Sequence, residues 1–345
     1  MLRLAMSCAR RWARHLEFNM LKSLQTLLLV FCMSAPASGA AIHRYAVDQS
    51  MIVGRLLATP EDQIDFEKAK LAIDRLIAPN SNVRALLAQI DQMTRRIKAM
   101  AGPDVSAIQK LAAVRKYIYV AGEWNGYRPF QYDRDDPLGT NLDNKLLATY
   151  VATRRGNCVS MPILFLILAD RLGVHVAVST APLHVFLKYI DDKSGRAFNI
   201  ETTSGGLPAR DAWLRQNFPM TDEAVRNGVY LKTLSRREAL AVFAELILEH
   251  DMRTREYHAL IAVAELILKN YPADVDAMLA EGTAYAHLID IEFRQKYPDP
   301  NAIPPKLLPD YQFYARKNEE LFDRAIALGW RDTENKVTTS PTGRP

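Results

Sequence analysis

The chain has 345 residues, of which 49% are hydrophobic and 24% charged, a composition that excludes a largely disordered protein. Most of its net charge of +5 comes from residues 1–40, which hold five basic residues and one acidic residue. The remaining 39 basic and 38 acidic side chains are nearly balanced, and no Lys/Arg cluster of the kind that binds nucleic-acid phosphates interrupts them. The charge therefore argues against a nucleic-acid partner.

Residues 1–40 have the pattern of a secretory signal peptide. Lys22 gives a positive start, 27–33 are apolar, and 35–40 are small residues suited to cleavage. The apolar run is shorter than the ~20 residues of a membrane-spanning helix. We therefore expect export, to the periplasm of a Gram-negative-type cell, with no membrane span in the mature chain. An uncleaved leader that acts as an anchor is the alternative, and Met20 offers a second start of translation.

Three helices are predicted between residues 60 and 120. Thr59-Pro60, followed by two acids, is a helix start signal, and apolar residues then recur with helical spacing. Breaks at 79–82 and 102–104 separate the first helix from a second over 83–100 and a third that ends near 120. Residues 121–145 are rich in turn formers and aromatics, which indicates either a functional loop or a surface crossover.

The centre of the chain alternates between helical and strand patterns. A short helix over 146–154 precedes a nearly all-apolar helix over 159–172, which Gly173 ends. A helix that is apolar on all sides is a central, buried one. The period then changes to two, which predicts three strands. These strands cover 174–180, 184–190 and 197–202.

The C-terminal third is predicted to be helical. Its helices are expected near 236–250, 254–270, 274–292 and 309–328. Together these patterns predict four regions along the chain. They are a leader (1–40), a core with N-terminal helices (41–235), a helical region (236–330) and a frayed tail (331–345).

Cys158 is the only cysteine beyond the predicted leader, which contains Cys8 and Cys32. It lies just after Gly156, at the start of the apolar helix. The free N–H groups and the positive dipole end of a helix favour the thiolate and can stabilise an oxyanion. The sequence therefore predicts a nucleophile here, and the alternative is a small apolar residue at the top of a core helix.

His184 and Glu201 are the predicted partners of that nucleophile. His184 opens the second strand, and a thiolate nucleophile is normally paired with a histidine. If the turn centres on Lys193, facing residues sum to about 386, and His184 lies opposite Glu201 or Thr202. Glu201 could then orient the imidazole, with Asn199 as the second choice. The alternatives are an ordinary polar strand end and an exposed carboxylate.

Four segments resemble the bacterial transglutaminase-like core, in the branch whose core is followed by tetratricopeptide-type helices. The segments are 155–160, 165–174, 183–187 and 199–206. The resemblance extends over about 50–290 and implies an α+β fold, with a central helix on an antiparallel sheet and helical flanks. It also implies that Cys158 is the nucleophile, His184 the general base and acid, and Glu201 the orienting acid. The family acid is usually aspartate, so Glu201 departs from the pattern.

The C-terminal helices show a weaker resemblance. Residues 262–274, followed by Ala277, Gly282 and Ala284, are similar to one tetratricopeptide junction. This resemblance implies a flank that docks a peptide or protein partner. The alternative is plain helical packing.

The predicted function is cysteine acyl chemistry on an amide of a peptide or protein. A thioester forms at Cys158 and is resolved by water or an amine, with hydrolysis favoured because water is abundant. The alternatives are a non-catalytic binding module that uses the same cleft and helices, and a structural envelope component. The sequence has no His/Cys cluster at metal-ligand spacing and no phosphate-binding loop, so neither a metal nor a cofactor is expected.

Overall fold

The computed structural model describes residues 39–332, with side chains from residue 47 onward. The predictions for the leader and for the tail fall almost entirely outside these residues. None of the helices in this part of the chain is both long and apolar enough to span a membrane. The described residues form two compact units, one of 39–58 and 244–332 and the other of 59–243.

The fold is α+β, with twelve α-helices and six strands over residues 39–332. The helices are α1 (Gly39–Leu57), α2 (Phe66–Ile77), α3 (Val83–Ala101), α4 (Ala107–Tyr119), α5 (Leu147–Thr153), α6 (Ser160–Arg171), α7 (Asp211–Asn217), α8 (Asp222–Arg226), α9 (Arg236–Thr254), α10 (Tyr257–Asn270), α11 (Val275–Leu288) and α12 (Leu308–Ala327). The strands are β1 (Gln131–Tyr132), β2 (Arg155–Gly156), β3 (Val176–Ala181), β4 (His184–Ile190), β5 (Ala197–Glu201) and β6 (Leu207–Ala209).

The core of the unit 59–243 is built around α6. All residues from Ser160 to Ala169 are buried, as the apolar pattern predicts for a central helix. Pro162 lies in the first turn, where a proline breaks no intrahelical hydrogen bond. The helix packs against α4 and α5 on one side and against β3 and β4 on the other. Cys158, two residues before this helix, is therefore attached to a largely buried element of the unit.

The main sheet is antiparallel, in the order β3-β4-β5-β6. β4 and β5 pair with Leu187 opposite Ile200, so facing residues sum to 387 and not to the predicted 386. The predicted direct opposition of His184 and Glu201 is therefore wrong. Strand side chains alternate between faces, so His184 and Glu201 still share a face, with His184 displaced along β4 from the position that opposes Glu201. The two side chains can meet diagonally.

A two-residue turn joins β3 to β4. Ala181 pairs with His184, and Pro182 and Leu183 occupy the two central positions. Leu183 has φ of 56°, in the left-handed region that suits glycine, and its side chain is 58% exposed. A leucine in this conformation costs about 1 kcal/mol. The chain thus keeps a strained residue directly before His184.

A buried ion pair fixes the start of α5. Lys70 Nζ lies 2.5 Å from Asp74 Oδ1 and 3.1 Å from the carbonyl of Lys145, and both members of the pair are buried. The other Asp74 oxygen accepts a 2.8 Å hydrogen bond from the amide of Leu147, the first residue of α5. The pair therefore joins α2 to the segment that leads to Cys158.

Several boundaries differ from the sequence predictions. The signal at Thr59-Pro60 precedes a 3₁₀ turn, and α2 begins at Phe66 because the Asp65 side chain accepts from the Lys68 amide and caps it. β6 and the short helices α7 and α8 were not predicted. The parallel pair β1–β2 was also missed, since a two-residue strand has no detectable period.

The unit of 39–58 and 244–332 is helical. α10 and α11 form an antiparallel hairpin across residues 271–274, and Asp274 caps α11 by accepting from the Ala277 amide. α11 continues as one π-helical stretch, Ile289–Arg294, and packs against α12. α1 packs against α10. The predicted tetratricopeptide character and the predicted domain bounds stay predictions.

Candidate active site

The backbone around Cys158 is held by a reciprocal set of hydrogen bonds. The side-chain oxygen of Asn157 accepts from the amides of Val159 and Ser160, at 3.0 and 3.3 Å, as an N-cap does. In return, the Asn157 amide donates to Ser160 Oγ at 3.2 Å, and Ser160 Oγ donates to the Asn144 carbonyl at 2.6 Å. Cys158 therefore enters α6 from a fixed direction.

Gly156 is required by close packing. A Cβ placed on it would lie 2.4 Å from Ser160 Oγ and 2.5 Å from a ring carbon of Tyr150. Neither neighbour can move away cheaply, because Ser160 is hydrogen-bonded and Tyr150 is fully buried. The glycine lets the chain pass close over Tyr150 on its way to Cys158.

Hydrogen bonds order the loop of residues 133–145 and connect it to the start of α6. Asp136 accepts from the amides of Thr140 and Asn141 at 2.8 and 3.0 Å, and from Asn144 Nδ2 at 3.2 Å. Asn144 Nδ2 also donates to Asp133 Oδ2 at 2.9 Å. The Asn144 carbonyl accepts the hydrogen bond from Ser160, so this loop helps to position Cys158. The sequence allowed either a functional loop or a surface crossover here.

Cys158 itself is half-buried and free of any disulfide. Its Sγ lies 3.7 Å from the backbone carbonyl of Leu183, the strained turn residue. The hairpin turn β3–β4 therefore approaches the thiol directly, and His184, which follows Leu183, interacts with Cys158.

His184 is buried on the sheet, with 6% of its surface exposed. Its Nε2 lies 2.7 Å from Glu201 Oε2. Phe218, which immediately follows α7, stacks on the imidazole with ring centroids 4.2 Å apart and planes 9° from parallel. Because Nε2 is engaged by Glu201, Nδ1 is the ring nitrogen left for Cys158.

Glu201 is completely buried, and both of its oxygens are hydrogen-bonded. Oε2 contacts His184, while Oε1 accepts from the Thr203 amide at 2.9 Å and from the Thr203 hydroxyl at 2.6 Å. Burial by itself raises the pKa of this carboxyl. The positive charge of His184 and the hydrogen bonds from His184 and Thr203 outweigh burial, and the pKa of Glu201 is lowered.

The imidazole of His184 is shifted in the opposite direction. Burial disfavours its charged form, but the carboxylate of Glu201 outweighs burial, and hydrogen bonding with Cys158 and Glu201 acts with it. The pKa of His184 is raised to about 10. At neutral pH these shifts favour an imidazolium–carboxylate ion pair between His184 and Glu201, beside Cys158.

Asn199, the second choice for the acid, points elsewhere. Its Nδ2 donates to the Ala209 carbonyl at 3.2 Å and to Asp211 Oδ1 at 2.7 Å. Of the two candidates, Glu201 is the one in contact with His184. His175, at the far end of β3, is exposed and contacts Asp192 at 3.0 Å.

Tyr119, at the end of α4, was missed by the sequence reasoning. Its side chain is partly exposed but its hydroxyl is buried, and burial and the nearby charge of Glu201 raise its pKa, so the hydroxyl stays neutral. Its ring lies 3.0 Å from where a Cβ of Gly206 would be, and Arg115 Nε donates to the Gly205 carbonyl at 2.9 Å. α4 thereby supports the turn that follows Glu201. An apolar helix pattern contains no signal for such contacts.

Residues 47–332 contain no group of three or more His, Cys, Asp or Glu side chains arranged to hold a metal ion. A cysteine at the start of a buried helix, against an antiparallel sheet that carries the histidine, is the architecture of papain-like cysteine folds. Residues 84–242 match the family model of the transglutaminase-like superfamily, and this segment is a transglutaminase-like domain. Neither the curated proteins nor the solved structures gave a significant match.

Proposed function

We propose that the chain is a cysteine hydrolase or acyltransferase that acts on an amide of a peptide or protein. Cys158 is the nucleophile, His184 the general base and acid, and Glu201 the group that orients and charges the imidazole. The observation that carries this proposal is the 2.7 Å contact between His184 and Glu201, buried beside the only thiol of the domain.

The His184–Glu201 pair can activate Cys158 as a nucleophile. The raised pKa of His184, about 10, keeps a proton on the imidazole, and an imidazolium beside Cys158 favours a thiolate–imidazolium pair. Glu201 stabilises that imidazolium, and Phe218 stacked on the ring keeps it from turning. The start of α6 contributes a positive dipole end near the sulfur.

The reaction then has two balanced halves. The Cys158 thiolate attacks the amide carbonyl carbon and forms a C–S bond, and the imidazolium gives its proton to the departing amine as the C–N bond breaks. The product of this half is a thioester and a free amine. Water next attacks the thioester while His184 takes its proton, and the acid is released as the thiol is restored. An amine in place of water would give acyl transfer.

Backbone N–H groups at the start of α6 can stabilise the oxyanion that forms in both halves of the reaction. Asn157 accepts from the amides of Val159 and Ser160, which leaves the amide of Cys158 itself to face the developing charge. We expect this donor to act on the tetrahedral intermediate.

The location and the partners follow from the sequence predictions. If the leader of residues 1–40 is cleaved, the substrate is an exported peptide or protein, and we place the reaction in the periplasm. The helices α10 to α12 would then dock a peptide or protein partner. The competing function is a binding module that uses the same cleft without turnover.

Labelling with iodoacetamide separates enzyme from binding module. We expect Cys158 to react faster at pH 6 than a free thiol peptide, because an imidazolium-paired thiolate persists where ordinary thiols are protonated. Mass spectrometry assigns the label to the peptide that contains Cys158 and distinguishes it from Cys8 and Cys32.

The matched variants are His184→Gln, which removes the proton acceptor, and His175→Gln, which removes an exposed histidine of the same sheet. Labelling should slow in the first and stay unchanged in the second. If Cys158 of the unmodified protein labels no faster than the peptide at pH 6, the enzyme proposal is wrong and the binding module is favoured.

A further inference from the structure

A surface cavity in the unit 59–243 has the composition of an anion site. It encloses about 270 Å³ beside the β1–β2 pair. Its lining residues are Arg128, Pro129, Gln131, Thr153, Arg154 and Arg155. Each polar side chain among them can donate hydrogen bonds, and none carries a negative charge. This cluster has no signature in the local sequence, because the fold brings together Arg128 and Arg154, which lie 26 residues apart in the chain.

One of these arginines is held rigidly. Arg154 follows α5 with φ of 61°, a left-handed position that usually holds glycine. Its Nη1 donates to the carbonyls of Asn125, at 2.6 Å, and of Arg128. The guanidinium also lies over the Phe130 ring, 5.1 Å from its centroid. The group is therefore pre-organised, and a ligand would not have to order it.

The positive charge at this cavity is only partly compensated. Arg155 Nη1 contacts Asp135 Oδ2 at 2.5 Å, with Asp133 Oδ1 at 3.5 Å. Arg128 makes no ion pair with any residue in the described part of the chain, and its side chain is exposed. Burial lowers the pKa of Arg154, and the positive charges of Arg128 and Arg96 act in the same direction while Tyr117 opposes them. The guanidiniums thus repel one another without a bound anion.

We propose that this cavity binds a compact oxyanion, a phosphate or carboxylate group of a small molecule. Planar guanidiniums match such oxygens with paired hydrogen bonds, and the Gln131 amide adds a neutral donor. The lining has no cysteine, histidine or carboxylate that could act as a nucleophile or a base, so it is a binding site and not a second reaction centre. The proposal is independent of the chemistry at Cys158.

The experiment is isothermal titration calorimetry with inorganic phosphate and, separately, citrate, at constant low ionic strength set with sodium chloride. We expect saturable binding of at least one of them. Arg128→Gln should weaken it about tenfold or more, since a charged hydrogen bond contributes ~1.5–3 kcal/mol. Arg128 is exposed, so the variant should fold, and circular dichroism checks this.

Arg134→Gln is the matched control. It removes an exposed arginine six residues further on that does not line the cavity, and it should leave the affinity unchanged. Phosphate binding without citrate binding points to a phosphorylated ligand, and the reverse to a carboxylate. Absence of saturable binding for both anions overturns the proposal, as does equal weakening by Arg134→Gln.

Discussion

Two ion pairs are buried in the unit 59–243, Lys70–Asp74 and His184–Glu201, and they differ in what surrounds them. Lys70 contacts Asp74 and a backbone carbonyl, and the second oxygen of Asp74 caps α5. In the other pair, Glu201 is likewise bonded through both oxygens, but only one nitrogen of His184 faces it. The other nitrogen is left beside a half-buried thiol.

The difference shows how a buried ion pair can be interpreted. When both members of a buried pair have all their partners within the protein, the pair stabilises the fold, since removing one member leaves a buried, uncompensated charge. In the His184–Glu201 pair, the imidazole also lies beside a reactive thiol and carries a proton that it can transfer. We therefore expect changes at Lys70–Asp74 to affect stability, and changes at His184–Glu201 to affect the reactivity of Cys158 as well.

The largest expected effect is on stability. Asp74→Ala leaves the Lys70 ammonium buried without its carboxylate and removes the cap of α5, so the free energy of unfolding should fall by about 3–5 kcal/mol. Urea denaturation followed by circular dichroism measures it. The double variant Lys70→Met/Asp74→Leu, which removes both charges, should recover most of the loss. A single variant as stable as the original chain would contradict the structural role of the pair.

The next largest effect is expected on the reactivity of Cys158, from a change in the His184–Glu201 pair. Glu201→Gln keeps the shape but removes the charge that raises the pKa of His184, so less thiolate–imidazolium pair forms. Each unit by which that pKa falls changes the proton balance about tenfold, and we expect iodoacetamide labelling of Cys158 at pH 6 to slow at least tenfold. Lys70→Met/Asp74→Leu is the matched control, with labelling unchanged. Equal rates in all three proteins would remove the functional distinction between the pairs.

The predictable part of this site is the part that depends on local sequence patterns. Periodicity located α6 and the strands β3 to β5, and with them the elements that carry Cys158, His184 and Glu201. The register was one residue off because a turn of five residues does not fix its own centre. Their catalytic roles stay predictions.

The supporting contacts were not predictable for a different reason. Ser160 contacts the backbone 16 residues away, and Phe218 stacks on a ring 34 residues earlier in the chain. Such contacts exist only after folding, and neither residue type stands out in its local pattern. A cysteine or histidine does stand out, because few residue types perform acyl chemistry.

The His184–Glu201 pair is also expected to make stability depend on pH. The pKa of His184 rises from 6.5 to about 10 on folding, so its contribution to stability is complete below pH 6.5 and is lost as the pH approaches 10. A single proton limits the slope to ~1.4 kcal/mol per pH unit in this range. The contribution of Glu201, whose pKa is lowered from 4.5, is present above pH 4.5 and lost on acidification.

Urea midpoints of the original chain and of His184→Gln, measured from pH 6 to 10, test this. The difference between the two proteins should shrink as the pH rises. A difference that stays constant across this range would mean that His184 is not held in its charged form.

The smallest effect is expected at Asn199, which lies on the same sheet face as Glu201 but outside its contact with His184. Asn199→Ala removes hydrogen bonds to Ala209 and Asp211, and should lower the free energy of unfolding by about 1 kcal/mol. Labelling of Cys158 should not change, since the imidazole keeps its carboxylate. If labelling slows as much as in Glu201→Gln, the third member of the site is Asn199, and the contact between His184 and Glu201 belongs with Lys70–Asp74 as a structural pair.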